Sequence, residues 1–261
     1  MDLGLQGRWA LITGASQGIG AATAESFAAE DCNLHLTARS QDKLEALRKG
    51  LAAAHDVDIR LHPMDLAERG NAARLSEAVG EIDILVNNAG VIPGGDLWSV
   101  DEEAWRAGWE LKVFGYINLT RAVYARMKAR GQGVIINDIG NAGERLDADY
   151  ICGTTGNAAL MAFTKAIGGH SLALHGVRIV GINPGPVATD RMPKLLKTRA
   201  RDWFGDESRW EELLKRYPQG RMATPAEIAD AIVFLASPRS GYTSGTILTI
   251  DGGITSRNSI V

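Results

Sequence analysis

A glycine-rich segment near the amino terminus has the spacing of a phosphate-binding turn. Thr13-Gly14-Ala15-Ser16-Gln17-Gly18-Ile19-Gly20 lies between the apolar run 9–12 and the helical-looking segment 21–29. Glycines let a backbone turn tightly and approach phosphates, and the free N–H groups at a helix start attract their negative charge. The segment therefore predicts a site for a dinucleotide pyrophosphate. The alternative is a strand-to-helix turn that is rich in glycine only for packing.

Short polar motifs follow four of the apolar runs further along the chain. They are Arg39, Asp65-Leu66, Asn87-Asn88-Ala89-Gly90 and Asn183-Pro184-Gly185-Pro186-Val187-Ala188-Thr189. Ligands of parallel α/β sheets bind outside the carboxyl ends of the strands. We therefore expect these motifs to surround one cleft together with the glycine-rich turn.

The segments that must position these motifs alternate between two kinds. Apolar, β-rich runs occur at 10–13, 34–37, 59–62, 84–86, 134–137, 177–182 and 246–250. Alanine-rich amphipathic segments occur at 20–30, 41–55, 68–80, 103–130, 157–175 and 225–236. This alternation predicts parallel strands joined by right-handed crossovers, with helices on both faces of the sheet. We predict a single domain over 1–261, with a lid-like helical insertion at about 190–217.

Composition excludes several classes of function. The 261 residues include 28 Lys and Arg against 31 Asp and Glu, a formal net charge of −3, which argues against a nucleic-acid or acidic-membrane partner. No stretch is apolar over the length of a bilayer, and no basic-then-apolar leader is present. Cys32, Cys152 and the five histidines lack metal-ligand spacing, so we predict no metal. Two reduced cysteines indicate a cytoplasmic location.

Taken together, the motifs resemble those of the short-chain dehydrogenase/reductase family. The resemblance extends over essentially the whole chain, because Tyr242-Thr243-Ser244-Gly245 and Asp251-Gly252-Gly253 near its end match as well. It implies an α/β fold with a Rossmann-type, doubly wound parallel sheet of about seven strands. It also implies a dinucleotide cofactor, a small-molecule substrate and a homotetramer or homodimer.

The resemblance assigns cofactor roles to the matching positions. The pyrophosphate would lie against Gly14, Gly18 and Gly20, and we expect Ser16, Gln17 and Ile19 of the same turn to contact the cofactor. The adenine would lie between Asp65 and Leu66. The adenosine ribose and the nicotinamide would lie above Asn87, Ala89 and Gly90, although Asn side chains also tie strand ends together. The nicotinamide carboxamide would contact Pro184, Gly185, Val187 and Thr189.

Arg39 favours NADP(H) over NAD(H). NAD users place a carboxylate at the end of the second strand, where it bonds the ribose hydroxyls and repels a 2′-phosphate. Ala38 stands there in this chain, and the guanidinium of the next residue, Arg39, suits a phosphate. Ser16 and Ser40 can add hydroxyl donors. The alternative is that Arg39 is a solvated charge at a helix start.

The four catalytic residues that the resemblance implies are all replaced. The family uses an Asn, a Ser, a Tyr and a Lys, and the intervals place these at Lys112, Gly140, Gly153 and Asn157. The Ser hydroxyl would polarise a substrate carbonyl, and the Tyr would transfer a proton under the influence of the Lys charge. Glycine and asparagine do neither. The substitutions therefore favour a catalytically silent protein that keeps its nucleotide cleft.

Tyr150 supports a different interpretation. It lies three residues before Gly153, nearly one helical turn, and its spacing to Asn157 is similar to that in enoyl-acyl-carrier-protein reductases of the same superfamily. We hypothesise that Lys112 and Asn157 act as an exchanged pair beside Tyr150. The alternative is that Lys112 extends outward to solvent and Asn157 only caps or packs. Asn141, or backbone N–H groups near it, would donate to the substrate oxygen. Without a close ammonium, Tyr150 should stay protonated at neutral pH, which favours reduction.

Three functions remain open from the sequence. The first is an NADP(H)-dependent oxidoreductase that reduces a carbonyl or conjugated double bond of a hydrophobic small molecule, with Tyr150 as the proton donor. The second is a catalytically silent, nucleotide-binding or structural subunit, with Tyr150 directed away from the cleft. The third is a non-redox lyase or isomerase that uses the enlarged cleft. Apolar and basic residues of the insertion suit a bulky substrate, although such residues also pack a lid onto its body.

Overall fold

The computed structural model describes residues 1–190 and 192–257, without the side chains of Lys194 and Asp202, so position 191 of the predicted insertion lies outside the described residues. Within these ranges, one sheet contains seven strands. They are β1 (Trp9–Thr13), β2 (Asn33–Ala38), β3 (Ile59–Pro63), β4 (Ile84–Asn87), β5 (Gly133–Asp138), β6 (Val177–Pro184) and β7 (Ile247–Ile250). All neighbouring pairs are parallel, in the order β3-β2-β1-β4-β5-β6-β7. The predicted doubly wound, Rossmann-type α/β sheet is confirmed.

Helices connect the strands. They are α1 (Gly18–Ala29), α2 (Gln41–Ala54), α3 (Asn71–Val79), α4 (Glu102–Trp109), α5 (Gly115–Arg130), α6 (Ile151–His175), α7 (Met192–Phe204) and α8 (Pro225–Ala236). Two differ from the prediction. The segment 103–130 is not one helix, because a π-helical turn at Glu110–Phe114 separates α4 from α5. Helix α6 begins six residues earlier than 157, so Tyr150 is its N-cap residue.

The two faces of the sheet carry separate apolar layers. Phe27 of α1 and Ile232 of α8 pack with Ile12 of β1 on one face. Leu75 of α3 and Leu119 of α5 belong to the cluster on the other face. The five strands between the edge strands β3 and β7 are mostly buried, which is why they read as nearly continuous apolar runs in the sequence.

Buried amide groups tie the carboxyl ends of the central strands to helices. Asn87 Nδ2 donates to Thr120 Oγ1 of α5 at 3.0 Å and to Asn137 Oδ1 of β5 at 2.9 Å. Asn137 Nδ2 in turn donates to Thr164 Oγ1 of α6 at 2.9 Å. Each bond satisfies a polar group that burial would otherwise leave unpaired. The chain of bonds fixes the ends of β4 and β5 relative to α5 and α6.

The glycine-rich turn lies directly against the end of β4. Asn88 Nδ2 donates to Thr13 O at 2.8 Å and to Gly14 O at 3.3 Å, and the backbone N–H groups of Asn88 and Ala89 donate to Thr13 Oγ1. A Cβ atom at Gly20 would lie 2.5 Å from Asn88 Nδ2 and would overlap Gly14 O. Glycine is therefore required at position 20 by the approach of α1 to this bonded turn.

We expect the substitution Gly20→Ala to destabilise the fold by about 1–3 kcal/mol, because the added methyl group has no room. Gly50→Ala is the matched control. Gly50 lies in α2 with nothing within 4 Å of an added Cβ, so this substitution should stabilise by about 0.5–1 kcal/mol. Urea unfolding measures both. Equal stabilities of the two variants would contradict the close approach.

Candidate active site

The predicted motifs meet in one cleft of about 1410 Å³ at the carboxyl edge of the sheet. Fifteen of the seventeen positions predicted to bind a cofactor line it: Gly14, Ser16, Gln17, Gly18, Ile19, Arg39, Ser40, Asp65, Leu66, Ala89, Gly90, Pro184, Gly185, Val187 and Thr189. Gly20 and Asn87 do not line the cleft. They are buried beneath it, where Gly20 admits the glycine-rich turn and Asn87 links β4 to β5 and α5. These two positions support the cleft from below.

The glycine-rich turn has the backbone geometry that close approach to a ligand requires. Gly14 and Gly18 have φ values of 64° and 59°, in the left-handed region that favours glycine. A Cβ at Gly14 would lie 2.9 Å from Ala89 Cα, so the turn also needs glycine to fit against β4. Helix α1 begins at Gly18, and the side chain of its N-cap residue, Gln17, makes no capping hydrogen bond. The first N–H groups of α1 are thus available to an anion.

A basic corner lies beside this turn. The Arg39 side chain is 69% exposed, and its nearest acidic atom is Asp65 Oδ2 at 3.9 Å. Lys43 Nζ donates to Gln17 Oε1 at 2.7 Å and lines the same cleft. The sequence analysis missed Lys43. The signal in the sequence was its position four residues after Arg39. Lys43 lies in the first turn of α2, which begins at Gln41.

Lys112 is buried rather than directed into solvent. It lies in the π-helical turn and is 8% exposed. Its Nζ donates to Asp138 O at 2.6 Å and to Tyr116 Oη at 3.0 Å, and Tyr116 Oη donates to Asp138 O at 2.7 Å. A Cβ at Gly90 would overlap the Lys112 side chain. The Lys112 side chain thus occupies the space beside Gly90.

Asp138, the last residue of β5, also lines this part of the cleft, and the sequence analysis missed it. The residue is 5% exposed. Burial raises the pKa of its carboxyl group from 3.8 to about 6, and the nearby charge of Lys112 opposes this rise. Burial also raises the pKa of the Tyr116 hydroxyl, and Asp138 adds to that shift. Burial thus holds the pKa of a carboxyl group in the cleft well above its usual range.

Asn157 lies against Gly140, the position to which the sequence analysis assigned the serine implied by the resemblance. Gly140 has a φ of 121°, a conformation that a serine would rarely adopt. A Cβ added there would lie 3.1 Å from Asn157 Nδ2, so the Asn157 amide occupies the adjoining space. Asn141 lines the cleft, but its Nδ2 donates to Asp251 Oδ2 at 3.1 Å and Thr255 Oγ1 at 3.3 Å. The side chain expected to bind a substrate oxygen is therefore already engaged in this conformation.

Tyr150 fills the space that Gly153 leaves. A Cβ at Gly153 would overlap the Tyr150 ring, and both Tyr150 and Asn157 line the cleft. The helical-spacing argument for Tyr150 was wrong in its premise, because φ of −135° and ψ of 38° place the residue before α6. The backbone holds it there, since Ile151 N donates to Gly95 O and Gly95 N donates to Asp149 O. The tyrosine ring is thus directed along the first turn of α6.

The insertion forms one wall of the cleft. It contains α7 and a 3-10 helical segment, Glu207–Arg216, as its helical character predicted. Met192, Leu195 and Trp203 line the cleft from α7 with their apolar side chains. Arg199 of the same helix pairs with Asp147 of the opposite loop at 3.2 Å. The wall therefore combines apolar surface with one ion pair that bridges the cleft opening.

Within residues 1–190 and 192–257, no group of three or more His, Cys, Asp or Glu side chains is arranged to hold a metal ion. No helix in the same ranges has the length and apolar character needed to cross a bilayer.

Comparison with known proteins identifies the family. The model of the family described as Enoyl-(Acyl carrier protein) reductase matches residues 14–255. Galactitol 2-dehydrogenase (L-tagatose-forming) of Cereibacter sphaeroides is 34% identical over 253 residues, 96% of each chain. The chain belongs to the short-chain dehydrogenase/reductase family. L-xylulose reductase of Mesocricetus auratus, 32% identical over 97% of this chain and 98% of its own length, is a further relative.

A solved structure agrees with this assignment. L-sorbose reductase from Gluconobacter frateurii, complexed with NADPH and L-sorbose, superposes with a TM-score of 0.90 and 33% identity. The superposition covers 98% of this chain and 100% of the other. The chain is therefore an oxidoreductase of the short-chain dehydrogenase/reductase family, as the glycine-rich turn and the strand-end motifs predicted.

We expect the stability of the wild type, relative to that of Asp138→Asn, to fall as the pH rises from 4 to 7.5. A carboxyl group whose folded-state pKa is raised stabilises the fold most below the unfolded-state value, and this contribution is lost as the pH rises through about 6. The free energy of unfolding of the wild type, taken relative to that of Asp138→Asn, should be about 2–3 kcal/mol lower at pH 7.5 than at pH 4. Thermal and urea unfolding at both pH values measure it. Asp149→Asn, at an exposed cleft residue, is the control, and equal pH profiles for wild type and Asp138→Asn would contradict the burial argument.

Proposed function

We propose that the protein is an NADP(H)-dependent reductase of a carbonyl group or a conjugated double bond in a hydrophobic small molecule, with Tyr150 as the proton donor. The observation that carries the proposal is the packing of the Tyr150 ring into the space above Gly153, inside the cleft. This packing places a phenol group next to the position at which the family resemblance implies a catalytic tyrosine, and a catalytically silent subunit does not require a phenol group there.

The cleft fits a dinucleotide. A Cβ at Gly14 or Gly20 would fill the space in which the turn approaches β4, and the first N–H groups of α1 face an anion site. Arg39 and Lys43 supply two positive charges beside the turn, as a 2′-phosphate would require. NADPH is also the cofactor in the structures of L-sorbose reductase and of actinorhodin polyketide ketoreductase. These observations favour NADP(H) over NAD(H).

The bound cofactor supplies the hydride, and the chain supplies orientation and a proton. Tyr150 donates its hydroxyl proton to the substrate oxygen or carbon that becomes protonated. Asn157 takes the place of the family lysine and donates hydrogen bonds from its amide without adding a charge. Lys112 supplies the positive charge from the opposite side, held by Asp138 O and Tyr116 Oη. Backbone N–H groups near Gly140 donate to the substrate oxygen in place of the serine.

The insertion supports the remaining parts of the proposal. We propose that the chain is one dinucleotide-binding domain and that residues 190–217 cover the substrate. The apolar side chains of Met192, Leu195 and Trp203 suit a hydrophobic substrate. Arg199, which pairs with Asp147 at the cleft, can instead bind a polar group of the substrate. A homodimer or homotetramer and a cytoplasmic location, with Cys32 and Cys152 reduced, complete the proposal.

The second candidate is a catalytically silent protein that binds the nucleotide. Gly140 favours this second candidate, because a serine would rarely adopt its φ of 121°. The other three positions at which the resemblance implies catalytic residues carry Lys112, Gly153 and Asn157. The two candidates share the cofactor cleft and differ in the role of Tyr150.

Cofactor preference tests the basic corner. Replacing Arg39 by Ser should weaken NADPH binding about tenfold, because a charge-assisted hydrogen bond to the 2′-phosphate is lost, and leave NADH binding unchanged. Arg48→Ser, on the helix α2 that follows Arg39 and paired with Glu45, is the control for overall charge. Tryptophan quenching and nicotinamide fluorescence measure both dissociation constants. An equal loss of affinity for NADPH and NADH in Arg39→Ser would contradict the assignment.

Turnover tests Tyr150. Tyr150→Phe should lower the rate of NADPH oxidation with ketones and enones by 10²-fold or more, the usual contribution of a positioned acid, with little change in NADPH affinity. Tyr242→Phe, at a fully exposed tyrosine, is the control and should retain wild-type turnover. Unchanged turnover in Tyr150→Phe would remove the role of Tyr150. Wild-type protein that binds NADPH but reduces none of the compounds would favour the silent candidate.

A further inference from the structure

Asp138 lies between the two strand ends proposed to hold the nicotinamide. Strand β5 has β4 on one side and β6 on the other, with Asn137 opposite Asn87 and Asp138 opposite Ile182. The motif after β4 and the motif that ends β6 both line the cleft, as Asp138 does. The parallel register therefore places a carboxyl group at the centre of this end of the cleft.

The carboxyl group of Asp138 belongs to a buried residue, 5% exposed, that lines the cleft. Its backbone carbonyl accepts from Lys112 Nζ and Tyr116 Oη. The charge of Lys112 opposes the rise in the pKa of this carboxyl group but offsets the effect of burial only in part, since the pKa is still raised to about 6. A buried carboxylate is stabilised by a positive partner. A second positive group in the cleft, on a bound ligand, would therefore stabilise the charged form of Asp138 further.

We propose that Asp138 sets the preference of the cleft for the oxidised over the reduced nicotinamide, because only the oxidised ring carries a positive charge. The inference rests on the proposed function, since it requires NADP(H) to bind in this cleft. A site that binds the oxidised form more tightly makes the bound reduced form a stronger hydride donor. Asp138 would thus favour reduction of the substrate without touching it.

Lys112 and Tyr116 face Asp138. Lys112 approaches from the π-helical turn and Tyr116 from α5, and both donate to the Asp138 backbone carbonyl. Tyr150, which precedes α6, lines the same cleft. Asp251, which follows β7, accepts from Asn141 and Thr255. The charge of Lys112 weakens the attraction of Asp138 for a positive ring. The oxidised-form preference should fade below pH of about 6, where the Asp138 carboxyl group becomes neutral.

Dissociation constants for NADP⁺ and NADPH, measured by calorimetry at about pH 7.5 and pH 5.5, test the inference. In Asp138→Asn, the ratio of the NADP⁺ constant to the NADPH constant should rise about tenfold at the higher pH, the lower end of what one nearby opposite charge produces. The two proteins should differ less at the lower pH. Titration of the 2′-phosphate cancels in the ratio, because both forms carry it.

Two comparisons keep the outcomes distinct. The ratio should rise in the wild type as the pH falls and stay level in Asp138→Asn, and Asp149→Asn should follow the wild type. Equal ratios for wild type and Asp138→Asn at pH 7.5, with both forms bound, would overturn the inference and leave the proposed function intact. Failure of the wild type to bind either form would overturn both.

Discussion

The parallel register of the seven strands is the constraint on which the site depends. It brings the carboxyl ends of β1, β2, β4, β5 and β6 to one edge, so motifs separated by more than 150 residues line one cleft. The edge is stabilised by buried amides, since Asn88 joins the glycine-rich turn to β4 and Asn87 joins β4 to β5 and α5. Because these groups are paired, the cleft can present unpaired N–H groups and charges to a ligand without weakening the sheet beneath it.

Three glycines of the cleft lie against larger side chains. A Cβ at Gly90 would overlap the side chain of Lys112, a Cβ at Gly153 would overlap the Tyr150 ring, and Gly140 adjoins the Asn157 amide. In each pair the larger side chain occupies the space beside a residue that has none. Glycine at these positions therefore allows Lys112, Tyr150 and Asn157 to pack at this end of the cleft.

The sequence predicted the features that depend on local pattern. Strand and helix alternation, the glycine-rich turn and the strand-end motifs all follow from spacing, and they appear in the sheet order and the cleft. Features that depend on side-chain direction were less accessible. Asp138 ends an apolar run and resembled a strand terminus, and Lys43 is one of several charged residues on α2. The hydrogen bonds of Asn141 to Asp251 and Thr255 join positions more than 100 residues apart in the sequence. Tyr150 was selected by its spacing, but its N-cap conformation rather than a helical turn directs the ring.

The charges at the end of β5 act on one another. The ammonium of Lys112 comes from the π-helical turn and donates to the backbone carbonyl of Asp138, whose buried carboxyl group opposes it in charge. An ammonium next to a tyrosine favours the phenolate, whereas a carboxylate close to that ammonium partly cancels its field. Tyr116, which donates to the same carbonyl, shows the balance: burial raises the pKa of its hydroxyl group, and Asp138 adds to the rise. The hydroxyl group of Tyr116 therefore acts as a hydrogen-bond donor that helps to fix the end of β5.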